Sequence, residues 1–219
     1  MRWLLPLAAM VLVFMTSAQS DTDLDQQLIL ASEQGDIGAV QRLLDQAISV
    51  HVRDAQGRTG LLAATQGNHI EVAKLLIEAG ADVNAQSDIK DSPYLLAGAR
   101  GYLNILRMTL DHGADLNSTN RYGGTALIPA CERGHVETVR ELLNTNIDVN
   151  HVNNLGWTAL LETVILGDGG PRHVEIVRML IKAGANLNLA DRDGVTPLQH
   201  AKQRHFKEMV GLLIQAAAP

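Results

Sequence analysis

The chain has a single cysteine, Cys131, among its 219 residues. That excludes an internal disulfide and leaves packing alone to hold the fold in an oxidising compartment. It has no lysine- or arginine-rich run: 18 basic residues are scattered among 24 acidic ones. Neither nucleic acid nor an anionic membrane is therefore an expected partner. The short patterns of common chemistries are missing too. There is no HExxH, no GxSxG, no GxGxxG after a strand and no phosphate-binding GKS or GKT. The glycines of LGDGGPRH interrupt a helix pair and follow no strand. No low-complexity linker divides the chain, so one domain is expected over 21–219.

The opening, MRWLLPLAAMVLVFMTSAQS, differs from everything after it. Arg2 is a minimal positive start, Trp3 to Met15 is apolar, and Thr16-Ser17-Ala18 offers small residues for cleavage. This reads as a signal peptide over 1–18, cut after Ala18 or, as the alternative, after Ser20. About 13 apolar residues fall short of the ~20 a spanning helix needs, so no stable membrane insertion is expected after cleavage. No cysteine follows the run to carry a lipid. The expected location is the periplasm of a Gram-negative cell, with full secretion as the alternative. Without Arg2 the mature chain keeps 17 basic against 24 acidic residues, a net charge of −7.

What the chain has in abundance is repetition. Thr59 to Asn84, TGLLAATQGNHIEVAKLLIEAGADVN, returns in altered copies marked by Thr59, Ser92, Thr125, Thr158 and Thr196. The first three intervals are 33 residues and the last is 38; a further copy without the threonine begins at Gln26. A fixed period of this length marks a solenoid. Each copy reads as turn, short helix, tight corner, longer helix and loop. Thr59 suits a helix N-cap, and Ser92-Pro93 and Thr196-Pro197 add proline just inside the start. Gly35, Gly101, Gly134 and Gly167 are placed for a left-handed corner, with Asn68 and His205 in the same slot. The longer helices carry apolar residues at i, i+3 and i+4, such as Val40/Leu43/Leu44, Ala73/Leu76/Ile77 and Val139/Leu142/Leu143. Glu71–Lys74, Glu137–Arg140 and Glu175–Arg178 stand one turn apart on the wet side, each pair contributing roughly 0.2–0.5 kcal/mol. One such helix pair cannot bury its own apolar face, so stability must come from neighbours stacked on each other.

TGLLAATQGNHIEVAKLLIEAGADVN, TALIPACERGHVETVRELLNTNIDVN and DGVTPLQHA resemble ankyrin repeats, in register over about 21–219. The resemblance implies an all-α solenoid of about six helix–turn–helix repeats with β-hairpin-like finger loops. The repeats fall at about 21–53, 54–86, 87–119, 120–152, 153–190 and 191–219. Two departures stand out. The TPLH histidine is replaced by Ile29, Leu62, Leu95, Ile128, Leu161 and Gln199, so the polar network between repeats is expected to be absent. Lys90 stands where other copies have Gly57, Gly123, Gly156 and Gly194, so the finger of repeat three is expected to be distorted.

Eight histidines and many carboxylates raise the question of metal or catalysis. His69, His135 and His173 recur at one slot, the corner before the second helix, which reads as architecture. They would lie about one repeat, roughly 10 Å, apart, too far to share a zinc ion. His51 and His151 are loop residues of different units, and His200 and His205 do not share a helix face. Asp191-Arg192-Asp193-Gly194 matches the repeat's own turn, as at Asp54–Gly57, and has neither the leading carboxylate nor the closing glutamate of a calcium loop. Cys131 reads as a small buried core residue. No cofactor, no metal and no catalytic residues are assigned, and the protein is read as a non-enzyme.

The resemblance also implies that finger tips and first helices, on the concave side of the stack, form the binding surface. There, repeats four and five are the most individual. Trp157 is the only tryptophan of the mature chain and occupies a finger slot. Tyr122, Leu155, Ile165 and Leu166 are expected near it, with Arg121, Arg133 and Arg192 as rim cations. Trp, Tyr and Arg are the residue types enriched at binding hot spots. The five extra residues Asp168–Arg172 are expected as an ordered corner loop in the same repeat, where Asp168, Arg172 and Glu162 offer accessory contacts. The functional expectation is a monomeric, exported protein that binds a protein partner through the concave surface of repeats three to six. A protective role against an envelope toxin enzyme is the first alternative. A metal-binding or enzymatic protein whose site no motif reveals is the second.

Overall fold

The computed structural model describes residues 23–218. The signal peptide expected over 1–18, and both cleavage positions, lie outside them. Contacts gather the chain into two compact units, one ending at Asp82 and one beginning at Val83. In a solenoid each repeat touches only its neighbours, so contacts never converge on one centre.

All regular structure among the described residues is helical, and it comes in pairs. The first unit holds α1 (residues 23–34) with α2 (Ile37–Asp45), and α3 (Gly60–Gln66) with α4 (Ile70–Glu78). The second holds α5 (Pro93–Arg100) with α6 (Leu103–Asp111), α7 (Leu127–Glu132) with α8 (Val136–Leu143), α9 (Ala159–Ile165) with α10 (Pro171–Lys182), and α11 (Pro197–Gln203) with α12 (Lys207–Ala217). Within the second unit, first helices pack on first helices, α5 on α7 on α9 on α11, and second on second, α6 on α8 on α10 on α12. Leu106, Leu142, Leu161, Ile176 and Leu180 are fully buried between them. No helix among the described residues is long and apolar enough to cross a membrane.

Helix starts follow the repeated hydroxyl. Thr59, Ser92 and Thr158 each accept at 3.2 Å from the backbone N–H three residues on, and Thr196 closes a full capping box with Gln199. Thr125 does not cap. Helix α7 starts from Ala126 with no side-chain cap, and the Thr125 hydroxyl is buried without a hydrogen-bond partner.

While other expectations change at this level, the fingers are the expected hairpin-like loops, hydrogen-bonded turns without strands among the described residues. In each, the N–H of the base residue reaches a carbonyl four residues on, and the N–H three residues on returns to the base, as in Asn120→Gly124 and Gly123→Asn120. Repeat three keeps this geometry: Ser87→Asp91 is 2.9 Å and Lys90→Ser87 is 2.8 Å. Its finger is therefore undistorted, and Lys90 takes the left-handed conformation itself, at φ 60°. In repeat five the left-handed corner residue is Gly169, at φ 71°, and not Gly167. The insertion is only half a loop. Pro171 and Arg172 form the first turn of α10, which proline suits, while Asp168 accepts the Gly170 N–H at 2.8 Å.

Polar links between repeats are present, built by the corner histidines and not by the missing TPLH histidine. Nε2 of His69 meets the Glu33 carbonyl at 2.9 Å, His135 bonds the Ala99 carbonyl, and Nε2 of His173 meets the Glu132 carbonyl at 2.8 Å. The imidazoles sit where the preceding corner lacks a side chain; a Cβ on Gly101 would lie 2.6 Å from His135 Nδ1. His173 keeps the slot despite the insertion because Asp168 holds its Nδ1 at 2.7 Å.

On the second helices, Glu137–Arg140 and Glu175–Arg178 pair at 3.4 and 3.7 Å, but Lys74 turns to Glu78 at 3.9 Å. Pairs also run from repeat to repeat: Arg107–Glu141, Arg140–Glu175 and Arg178–Glu208.

Candidate functional site

The first helices and fingers of repeats three to five enclose a groove of about 270 Å³ within the second unit. The 33-residue period writes its lining in rows. Leu96, Pro129 and Glu162 occupy one slot on α5, α7 and α9; Ala99 and Glu132 form the next row; Arg100, Arg133 and Leu166 stand at the helix ends. Asp91, Arg121, Tyr122 and Leu155 close the groove from the finger side.

The walls combine apolar and cationic character. Tyr122 is 56% exposed, Leu155 47% and Leu166 48%, unusual values for side chains of this kind in one groove. The Arg121 guanidinium lies 4.9 Å from the centre of the Tyr122 ring and 3.8 Å from Asp91. Arg133 donates from Nη1 to the Ala99 carbonyl at 2.7 Å, which ties the end of α7 to the previous repeat. Finger positions are held by backbone and side chain together. Asn153 Oδ1 accepts from Leu155 and Trp157 at 2.9 and 3.0 Å, and the Asn154 N–H reaches the Tyr122 carbonyl at 2.9 Å.

At the groove's base lies a buried carboxylate. Glu162 is only 6% exposed, and Asn153 Nδ2 donates to its Oε1 at 2.8 Å. Burial pushes its carboxyl up to about 7; the neighbouring Glu132 charge pushes the same way, while the Asn153 bond and the Arg133 charge oppose. Repeat six offers the contrast. His200 occupies the same slot, and Asp191, the finger base matching Asn153, meets its Nε2 at 2.7 Å. Asp191 also accepts from Val195 and Asp193, so its oxygens serve the turn.

Of the residues singled out in the sequence, Arg121, Tyr122, Arg133, Leu155, Glu162 and Leu166 line this groove together. Trp157 is half-buried and is not among the lining residues, nor are Ile165, Arg192, Asp168 or Arg172. Arg192 lies along Gly156 and its guanidinium donates to the Asn154 carbonyl, which straps finger six to finger five. Asp168 holds His173, and Arg172 is exposed on α10. Leu96 and Pro129 line the groove as well, each four residues after the repeated hydroxyl, Ser92 and Thr125, and so does Ile128, which the sequence marked only as a TPLH replacement. Cys131 is fully buried and burial pushes its thiol upward, which leaves it a core residue. No group of three or more His, Cys, Asp or Glu among the described residues is placed to hold a metal.

A stack of capped helix pairs with hydrogen-bonded fingers defines an ankyrin-repeat protein, and comparison with known proteins agrees. Family models of ankyrin repeats match residues 9–87, 94–191 and 171–214. The chain belongs to the ankyrin-repeat family. It is 41% identical over 197 residues to the ankyrin repeat protein YahD of Escherichia coli (strain K12), covering 90% of this chain and 98% of that one. Among solved structures, an ankyrin repeat domain from Acinetobacter baumannii AYE is similar at a TM-score of 0.85 and 60% identity, over 88% of this chain and 98% of that one. The ankyrin repeat protein EF0377 is similar at 0.84 and 41% identity, over 87% and 98%. Ankyrin repeats are protein-interaction modules, and the fold is typically a non-enzymatic scaffold.

Proposed function

We propose that this chain is an exported, non-enzymatic interaction protein of the periplasm. It binds a protein partner on the finger and first-helix face of repeats three to six. The observation that carries the reading is the groove, around which Tyr122, Leu155 and Leu166 all stand exposed. A rigid ring and two aliphatic side chains beside Arg121 and Arg133 match the composition of binding hot spots. Ion-paired arginines on the second helices serve the stack instead.

The experiment is a pull-down of the tagged protein from its own cell envelope, with mass spectrometry. The Tyr122→Ala/Leu155→Ala variant should keep its helical content and lose the partner by about 30-fold or more, the scale of one hot spot. Undiminished recovery of the partner would remove the proposal. Export is checked separately: the periplasmic fraction should yield a chain beginning at Gln19 or Asp21, and an uncut chain confined to the cytoplasm would contradict it.

A further inference from the structure

Glu162 is the one ionisable residue in its row of the groove. Leu96 and Pro129 hold the same slot in repeats three and four, so a side chain of similar packing role would be apolar there. Its side chain accepts from Asn153, a neutral amide, and among the described residues no ion pair at salt-bridge distance involves it. The comparable slot in repeat six shows what pairing looks like: His200 and Asp191 meet at 2.7 Å. Carboxylates are almost never buried without a partner, because desolvation disfavours the charge. Glu132, on the neighbouring helix, adds a second carboxylate to the same groove, and exposed apolar side chains flank both.

We propose that the groove receives a basic side chain, lysine or arginine, from the partner's polypeptide, with Glu162 as its buried counter-charge. The occupant is a protein segment in which apolar residues flank the cation, so that they cover Tyr122, Leu155 and Leu166 while the cation passes between them to the groove base. This rests on the proposed function of the same face and specifies its partner. Glu132 adds attraction at the entrance, and Arg121, held by Asp91 and the Tyr122 ring, stays at the rim.

The proposal also sets a pH dependence, since the cation binds the ionised carboxylate. The charged groups around Glu162 are Glu132 and Arg133 from α7 and its end, with Asp91, Arg100 and Arg121 farther round the groove. On the helices packed against α9, His200 is turned to Asp191, Arg204 to the Gly167 carbonyl, and His173 to Asp168 and the Glu132 carbonyl.

The test is an NMR titration of the whole mature protein with three capped tripeptides, acetyl-Leu-X-Leu-amide, where X is lysine, norleucine or glutamate. The side-chain carboxyl carbon of Glu162 and the amide group of Asn153 report directly on the site. The lysine peptide should shift both signals saturably, bind at least about tenfold more tightly than the norleucine peptide, and bind more tightly at pH 8 than at pH 5.5. In Glu162→Gln the lysine preference and its pH dependence should vanish together. The norleucine comparison uses the unaltered protein and so does not depend on how the variant folds. Equal binding of lysine and norleucine, a preference for glutamate, or lysine shifts that leave Glu162 unmoved would each overturn the cation slot. So would the absence of any shift. None of these results touches the envelope pull-down, which decides the binding face on its own.

Discussion

The two faces of the second unit are built from the same helix pairs and differ in what their side chains do. Along α6, α8, α10 and α12, arginine meets glutamate from one repeat to the next, at 2.9 Å for Arg107–Glu141 and near 4 Å farther on. Along α5, α7 and α9, the same period brings Leu96, Pro129 and Glu162 into one row, and exposed Tyr122, Leu155 and Leu166 stand beside it. One face pairs arginine with glutamate from repeat to repeat. The other leaves a carboxylate bonded only to an amide, and apolar side chains open. Repetition without individuality marks the side that holds the stack; individuality laid over repetition marks the side that meets something else.

Corner histidines should show the largest effect on the stack. His173 is buried, bonds Asp168 and reaches back to the Glu132 carbonyl. His173→Ala removes these links and leaves the part-buried Glu132 carbonyl without its imidazole partner, so a loss of about 2 kcal/mol is expected in urea unfolding. Asp168→Asn should lower stability in the same direction, because the backbone N–H of Gly170 and the His173 side chain hold the Asp168 carboxyl below its ordinary range. That contribution is present above the unfolded-state value and fades as pH falls through the folded one.

Glu162 should behave oppositely. Its carboxyl ordinarily titrates at 4.5 and is raised to about 7 in the fold. Below pH 4.5 both states keep the proton and burial costs nothing. As pH rises the unfolded chain ionises first, so stability falls up to about pH 7 and stays lower above it. Glu162→Gln, which keeps an acceptor for Asn153, should match the parent at pH 4.5 and exceed it by about 1–2 kcal/mol at pH 8. Thermal unfolding at the two pH values checks this. The carboxylate thus costs stability on the very face proposed to bind.

Smaller effects sharpen the contrast further. Lys90→Gly removes a non-glycine residue from a left-handed position and should stabilise by about 1 kcal/mol, read from the urea midpoint. Arg178→Gln, on the second-helix face, breaks only exposed pairs with Glu175 and Glu208 and should change stability by less than about 0.5 kcal/mol.

The stack was legible in the sequence because its causes are local and recur. A hydroxyl caps, a left-handed residue turns, and apolar residues at helical spacing are buried; each appears in nearly every copy. The site was legible in part. Tyr122, Leu155, Leu166, Arg121 and Arg133 converge because finger and helix-end slots are set by the period. Trp157 does not line the groove: it is half-buried, its backbone N–H is held by Asn153, and its rarity in composition says nothing of direction. Arg192 likewise has its reach taken up by a neighbouring carbonyl, a partner invisible without coordinates. Lys90 departs from its expected distortion because the turn's hydrogen bonds enforce a left-handed residue even where the side chain resists it.

Site-specific photocrosslinking in the living cell tests the division of faces most directly. A benzophenone side chain placed at Tyr122, Leu155 or Leu166 should yield an adduct with one protein partner, whereas the same group at Met179 or Lys182, on the second-helix side, should yield none. Adducts of equal yield from 179 and 182, or none from the groove positions while the partner still co-purifies, would contradict the assignment of the binding face.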